Sequence, residues 1–326
     1  MRRAKLKLKK SYWVSLTSLA AVAFLIAASF PVRSAAQQKG QKTFSSPEEA
    51  SAALFAAVQG NDEKALLEIF GPDGKQIVSS GDDVEDAQSH ANFAQKYQEM
   101  HRLVKEPDGT ICLYIGAMNW PTPIPIVGSG NSWYFSTEAG MKEILARRIG
   151  RNEMSAIHVC KEMVAAEKEF YSSQHQVYAQ KIFSDPGQQN GLYWKAADGG
   201  PQSPIGPLVA AAVAEGYDPK DQNAAPTPYR GYYYRILTRQ GKNVPGGAKS
   251  YIPGGKMTEG FAFVAYPAEY RSSGVMTFIV DQDGVVYQKD LGKNTGALVK
   301  AMKEYNPNSS WQKVEVETEE NAAAQK

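Results

Sequence analysis

The chain is poor in the residues that most often announce chemistry. It has 2 cysteines and 4 histidines among 326 residues. No C-x-x-C and no Cys/His cluster at ligand spacing occurs, so no metal and no cofactor is expected. Neither H-E-x-x-H nor G-x-S-x-G is present, which removes the commonest metalloprotease and hydrolase signatures. Gly128-Ser129-Gly130 lacks the third glycine and the following helix of a phosphate loop. Beyond residue 36 no apolar run is long enough to span a membrane. Charge of one sign is also scarce, with 36 Lys+Arg against 34 Asp+Glu.

That near balance averages two different segments. Seven cations (Arg2, Arg3, Lys5, Lys7, Lys9, Lys10 and Arg33) and no anions fall in residues 1–36, and without them 29 basic residues face 34 acidic ones, a net −5. A mildly acidic body argues against nucleic acid as a partner. The basic leader, the apolar stretch Tyr12 to Phe30, Pro31 and Ser34-Ala35-Ala36 read as a secretory signal peptide cleaved after Ala36. The alternative is a retained anchor, since 19 apolar residues just span a bilayer. No cysteine follows the stretch, so no lipid-modified N-terminus is expected. Periplasmic or secreted protein is the implied location, with no membrane span in the mature chain. In that oxidising setting Cys112 and Cys160 are candidates for a disulfide, the alternative being two buried thiols.

The rest reads as α+β in two parts: a polar spacer 37–43, a first part 44–150, a second part 151–310 and a polar tail 311–326. Ser46-Pro47-Glu48-Glu49 caps an Ala-rich helix ending near Gly60, and Asn61 or Asp62 opens a second helix. Asp83 to Leu103 is helical by the recurrence of Ala87, Ala91, Ala94, Tyr97 and His101. Strand-like runs follow at 110–120, 124–127 and 132–135. The alternating prolines of Pro121, Pro123 and Pro125 suggest an edge strand. A helix is expected from Asn152 to about Ser173, with Met154, Ile157, Cys160, Val164 and Tyr171 as its buried stripe. Residues 185–231 are loop-dominated around a short helix at 208–214, and the apolar cluster Leu192-Tyr193-Trp194 favours packing there. A β-meander at 232–238, 260–266, 274–281 and 285–290 and a helix at 295–305 complete the chain. Asp281-Gln282-Asp283-Gly284 fails as a calcium loop, because Gly292 stands where the bidentate Glu belongs, and reads as a hairpin turn.

Helices followed by strands, closing on Ser132-Trp133-Tyr134-Phe135, resemble the cone-shaped fold of nuclear-transport-factor-like proteins. That resemblance implies a cavity in 44–150 lined by His101, Tyr114 and Trp133, with His90, Asp82, Asp83, Asp86 and Tyr134 as further polar groups. The helix from Asn152 and the meander ending in Asp281-Gln282-Asp283-Gly284-Val285 resemble pilin-like and pseudopilin globular domains, although the pilin processing site is missing. Longer strings, among them Gly191-Leu192-Tyr193-Trp194, Ser203-Pro204-Ile205-Gly206-Pro207-Leu208, Gly231-Tyr232-Tyr233-Tyr234-Arg235-Ile236-Leu237 and Gly260-Phe261-Ala262-Phe263-Val264-Ala265-Tyr266, resemble the exported bacterial family called domain of unknown function twenty-nine fifty. The family implies export and architecture, with no established activity.

No catalytic set is visible. The expectation is a non-enzymatic binding or scaffold module of the envelope whose partner is another envelope protein or a small molecule, with Tyr193, Trp194, Tyr232, Tyr233 and Tyr234 as contact candidates. The alternatives are a small-molecule binder or enzyme using the cone of 44–150, and a secretion- or pilus-associated accessory protein.

Overall fold

A computed structural model describes residues 37–173, 176–197, 199–217 and 227–315. The expected leader with its cleavage point at Ala36, and the tail beyond 315, lie outside the described residues.

The first helices form where the capping chemistry places them. In α1 (Pro47–Gln59) the Ser46 side chain accepts the Glu49 N–H at 3.1 Å, while the Glu49 carboxylate takes the Ser45 N–H at 2.8 Å. This reciprocal arrangement satisfies donors that a helix start leaves open. Asp62 caps α2 (Glu63–Phe70), a short turn forms α3 (Lys75–Val78), and Asp82 caps α4 (Asp83–Glu99). The last of these stops earlier than the sequence spacing predicts. His101 opens β1 (His101–Lys105), which pairs along its whole length with β2 (Ile111–Ile115), so ladder bonds replace the helical ones from residue 101 onward.

The sheet continues through β3 (Trp120–Pro121), β4 (Ile126–Ser129) and β5 (Ser132–Phe135), with order β1-β2-β4-β5 and β3 on β2. Gly130-Asn131 makes the tight turn between β4 and β5, Ser129 pairing with Ser132. Of the alternating prolines, Pro121 stands on a sheet edge, since β3 pairs with β2 alone, while Pro123 and Pro125 lie between β3 and β4. Along β2, Tyr114 pairs with Pro121 and Ile111 with Ile126. Thr122 still donates its N–H to the Leu113 carbonyl at 2.8 Å, but Pro123 and Pro125 have no donor to offer, and the chain bends at Pro123-Ile124 before β4.

The largest departure from expectation is α5 (Thr137–Ser173), 37 residues long. Gly140 and Gly150 weaken a helical reading of its first third, since each costs about 1 kcal/mol relative to Ala. Close packing explains Gly140: a Cβ there would stand 2.3 Å from the Pro123 carbonyl oxygen. The part boundary expected between 150 and 151 therefore falls inside one continuous helix. Its N-terminal end packs beside the first core, which runs from Phe44 to Phe135, and its C-terminal half carries Ala156, Val159, Cys160, Met163 and Phe170 into a second core.

That second core is a helix laid on an antiparallel sheet. The sheet comprises β6 (Tyr232–Leu237), β9 (Ala262–Pro267), β10 (Met276–Asp281), β11 (Tyr287–Asp290) and β13 (Gln312–Lys313), ordered β13-β11-β10-β9-β6, and α5 packs on β9 and β10. The turn at Asp283-Gly284 is closed by the Gly284 N–H donating to Asp281 O at 2.9 Å. Two-residue strands β7 (Arg239–Gln240) and β8 (Lys249–Ser250) and, after α7 (Thr295–Ala301), β12 (Glu304–Tyr305) form a small side sheet. Within the long loop, α6 (Gly206–Ala214) forms near its expected place. The class is α+β, and among the described residues no helix is long and apolar enough to cross a membrane.

Two glycines of one helix should respond in opposite directions. Gly140→Ala is expected to destabilise by about 1–3 kcal/mol, because the added methyl meets backbone. Gly150→Ala, with no heavy atom within 4 Å of its Cβ position, is expected to stabilise by up to about 1 kcal/mol. Urea denaturation of the two variants checks both signs.

Candidate functional site

The first core contains an apolar cavity of about 310 Å³, at the lower end of the ~300–1,000 Å³ typical of ligand pockets. Leu54 and Val58 of α1, Leu66 and Phe70 of α2, Phe93 of α4, Phe135 of β5 and Ile144 of α5 form its walls. The bent segment Thr122-Pro123-Ile124 forms another, so the short β2–β4 ladder is what opens the space. Polar groups reach it at one side: Ser89 and His90 from α4, and Arg147, Arg148 and Arg151 from α5.

Of the groups expected from sequence, His90 is among these and His101, Tyr114 and Trp133 are not. His101 is exposed on β1, stacked on Tyr97 with ring centroids 3.9 Å apart and Nδ1 bonded to the Tyr97 carbonyl. Tyr114 donates to Glu106 at 3.0 Å and lies under the Arg102 guanidinium. Trp133 bridges to Phe44 and packs on the outside of the core. None of the three lines the cavity: alternation turns Tyr114 to the other face of β2 from Leu113 and Ile115, whereas His101 and Trp133 share the core face but cover Tyr97 and Phe44 at its margin. His90 does line it. Asn61 Oδ1 binds its Nδ1 at 2.6 Å, and burial pushes its pKa below the ordinary value despite the nearby Asp86 carboxylate.

Behind the arginines lies a buried polar network that sequence inspection misses. Asp82, 1 % exposed, caps α4 through Oδ1 and with Oδ2 accepts the Tyr217 hydroxyl at 2.9 Å and the Gly231 N–H at 2.8 Å. Gly231 has φ 75°, and a Cβ there would stand 2.4 Å from Asn152 Nδ2, so no other residue fits. Arg148 donates to the carbonyls of Gln76 at 2.7 Å and Ile77 at 2.9 Å, and to Ser272 Oγ at 3.4 Å. Asn152 joins Glu85 at 2.9 Å to the Ser273 carbonyl at 3.1 Å. Burial raises the carboxyl pKa values of Glu85 and Asp86 and lowers that of Arg148, and the attraction between the three opposes each of these shifts.

The aromatic contact candidates of the second part are packing residues. Trp194 is 8 % exposed with Nε1 donating to Pro201 O at 3.0 Å, and Tyr232 is fully buried with its hydroxyl on the Met276 carbonyl. Tyr193 is half-buried edge-on to Phe183, Tyr233 lies beside Tyr266, and Tyr234 is packed against the second core. Cys112 and Cys160 are both buried free thiols. Cys160 is enclosed in the second core while the Cys112 thiol faces the Thr122 carbonyl, so the disulfide is not formed; burial pushes the Cys160 pKa up to about 12. Among the described residues no group of three His, Cys, Asp or Glu could hold a metal ion.

A larger opening of about 500 Å³ lies between β12 and the segment at Trp311. It is a surface groove bordered by the Arg239–Glu304 pair, whose side chains are 51 % and 43 % exposed, and it offers little desolvation.

Residues 41–314 match the family described as Protein of unknown function (DUF2950). The chain belongs to this family. The match covers both cores, α5 and the Asp82 network, so those features fall within the DUF2950 region. No curated protein and no solved structure matches the chain.

Two changes separate the network from the core. Asp82→Ala strands the Tyr217 hydroxyl and the Gly231 and Glu85 N–H groups, and is expected to cost at least about 3 kcal/mol in denaturant titration. Glu167 supplies the second. It is fully buried on α5, accepts the Ala179 N–H at 2.9 Å through one oxygen, has no partner for the other, and burial raises its pKa to about 8. The folded state holds this proton where the unfolded state, with the ordinary carboxyl value of 4.5, does not. Stability is therefore full below about pH 4.5 and falls toward pH 8 by up to ~1.4 kcal/mol per unit. Glu167→Gln should flatten that slope in melts taken from pH 5 to 8.

Proposed function

We propose that the protein is a non-enzymatic binding module of the bacterial envelope that holds a small apolar ligand in the cavity of its first core. The single observation carrying this reading is the cavity itself. Side chains around an unfilled space lose the packing contacts that a filled one would give them, and here the lining is apolar around about 310 Å³ that opens on its basic side. A fold that keeps such a space, and lines it with arginines on one side only, is suited to holding something there.

The charged leader and apolar stretch support the envelope location, as an expectation from sequence. The layout of α5 on the antiparallel meander supports the pilin-like likeness, which concerns location and not the ligand. His90 has the Asp86 carboxylate near it but is bonded through Nδ1 to Asn61, not oriented by an acid as a general base would be, so binding is favoured over catalysis.

The neutral fluorescent probe N-phenyl-1-naphthylamine tests the reading. Wild-type protein is expected to enhance its emission saturably, and Val58→Trp, which fills the cavity from α1, to abolish the enhancement while remaining folded by circular dichroism. Absence of any enhancement with wild-type protein overturns the proposal.

A further inference from the structure

The three arginines of the cavity are in different states, and the difference identifies a ligand headgroup. Arg148 is committed to the Gln76 and Ile77 carbonyls and Ser272. Arg147 is tied only to Glu143, in an i,i+4 pair whose side chains are 49 % and 51 % exposed, and such pairs are worth little and exchange readily. It is also held over the Trp120 ring at 5.6 Å, which fixes its position without using its donors. Arg151 approaches Glu85 at 3.7 Å, beyond direct hydrogen-bond length, and its side chain is 64 % exposed. Being four residues apart, Arg147 and Arg151 stand on one side of α5, beside the opening of an apolar space. On the opposite wall Thr122 Oγ1 is buried with no hydrogen-bond partner.

We infer that the cavity binds an amphipathic monocarboxylate, its tail in the apolar space and its carboxylate held by Arg147 and Arg151. This rests on the binding reading above. Guanidinium groups take a carboxylate through two parallel N–H donors, which neither arginine now gives to a buried acid. The local balance selects a single charge. Arg147, Arg148 and Arg151 are matched by Glu143, Glu85 and Asp86, a formal balance of zero; a monocarboxylate needs only to displace the exposed Glu143 from Arg147, whereas the second charge of a phosphate dianion finds no surplus cation. Size sets the tail: an apolar cavity of ~150 Å³ accepts benzene. At about twice that volume this one accommodates a chain of roughly ten carbons.

Isothermal titration of the full chain with decanoate, 1-decanol and decyl phosphate tests the assignment. Decanoate is expected to bind at least about tenfold more tightly than 1-decanol, and the Arg147→Gln/Arg151→Gln double variant to lose about tenfold for decanoate with 1-decanol unchanged. Arg151→Gln alone carries the test if the double variant does not fold, with a loss of about three- to tenfold. Equal affinity for decanoate and 1-decanol, tighter binding of decyl phosphate, or an unchanged decanoate affinity in the arginine variants overturns the inference while leaving a binding cavity in place. If 1-decanol and the neutral fluorescent probe both fail to bind wild-type protein, the binding reading itself falls.

Discussion

The Asp82 carboxylate is the point on which the two halves of the fold converge. It ends the loop before α4, and its two oxygens serve a helix N-terminus on one side and Tyr217 and Gly231 on the other. A carboxylate removed from water is tolerated only where its lone pairs are taken up, and here three donors take them. Gly231 in turn leads directly into β6, the edge strand of the second sheet, while α4 covers the first core. The strand and the helix are therefore registered through one side chain. Arg148 and Asn152 repeat the connection from α5, joining the Gln76 and Ile77 carbonyls and Glu85 to Ser272 and Ser273.

This network also explains why the cavity stays open on its basic side. Apolar side chains could close over the space between α4 and α5, but the residues there are spent on polar partners. Arg148 is anchored to backbone carbonyls, and Asp86 accepts the Ser80 N–H at 2.9 Å. The opposite wall is held apart by a different device, the proline run that forfeits ladder bonds between β2 and β4. Gly140 lets α5 approach that run to backbone contact, which sets the depth of the space without filling it. A donor deficit in a sheet, a glycine in a helix and a saturated charge network each follow from local chemistry, and together they leave a void.

Much of the second core was legible because its signals are short-range. Four strand-like runs with Asp283-Gly284 between two of them correspond to β6, β9, β10 and β11 within a few residues, since alternation and turn chemistry act over neighbouring positions. Ser46 and Asp62 announced α1 and α2 for the same reason. The early part of α5 was hidden, because Gly140 and Gly150 count against a helix unless the packing partner is known, and Pro123 supplies it. His101 looked helical by spacing from Tyr97, yet pairing with Ile115 claimed it for a strand. The Asp82 network had no local signature beyond an N-cap: Tyr217 and Gly231 are 135 and 149 positions away. Expected cavity residues failed for a related reason, since a cone-like likeness gives neither the inward face of β2, from which Tyr114 is turned, nor the place along β1 and β5 where the space opens, which lies away from His101 and Trp133.

The buried charges carry a consequence for how the cavity responds to a ligand. Burial raises the pKa of Glu85 and Asp86, opposed by the hydrogen bonds from Asn152 and Ser80 and then by the Arg148 charge, and Arg151 adds to Glu85 from a distance of 3.7 Å. A carboxylate arriving at Arg147 and Arg151 draws Arg151 from Glu85, leaving Glu85 with Asn152 as its hydrogen-bond donor and with less opposing charge. Its tendency to take up a proton then rises, because desolvation is already the dominant influence on it. Asn152 also touches Ser273 in the loop that feeds β10. A change of charge at Glu85 is therefore felt first at the junction with the second sheet, through one amide group, so occupancy of the first core and the register of the second are linked by the same contacts that hold the fold together.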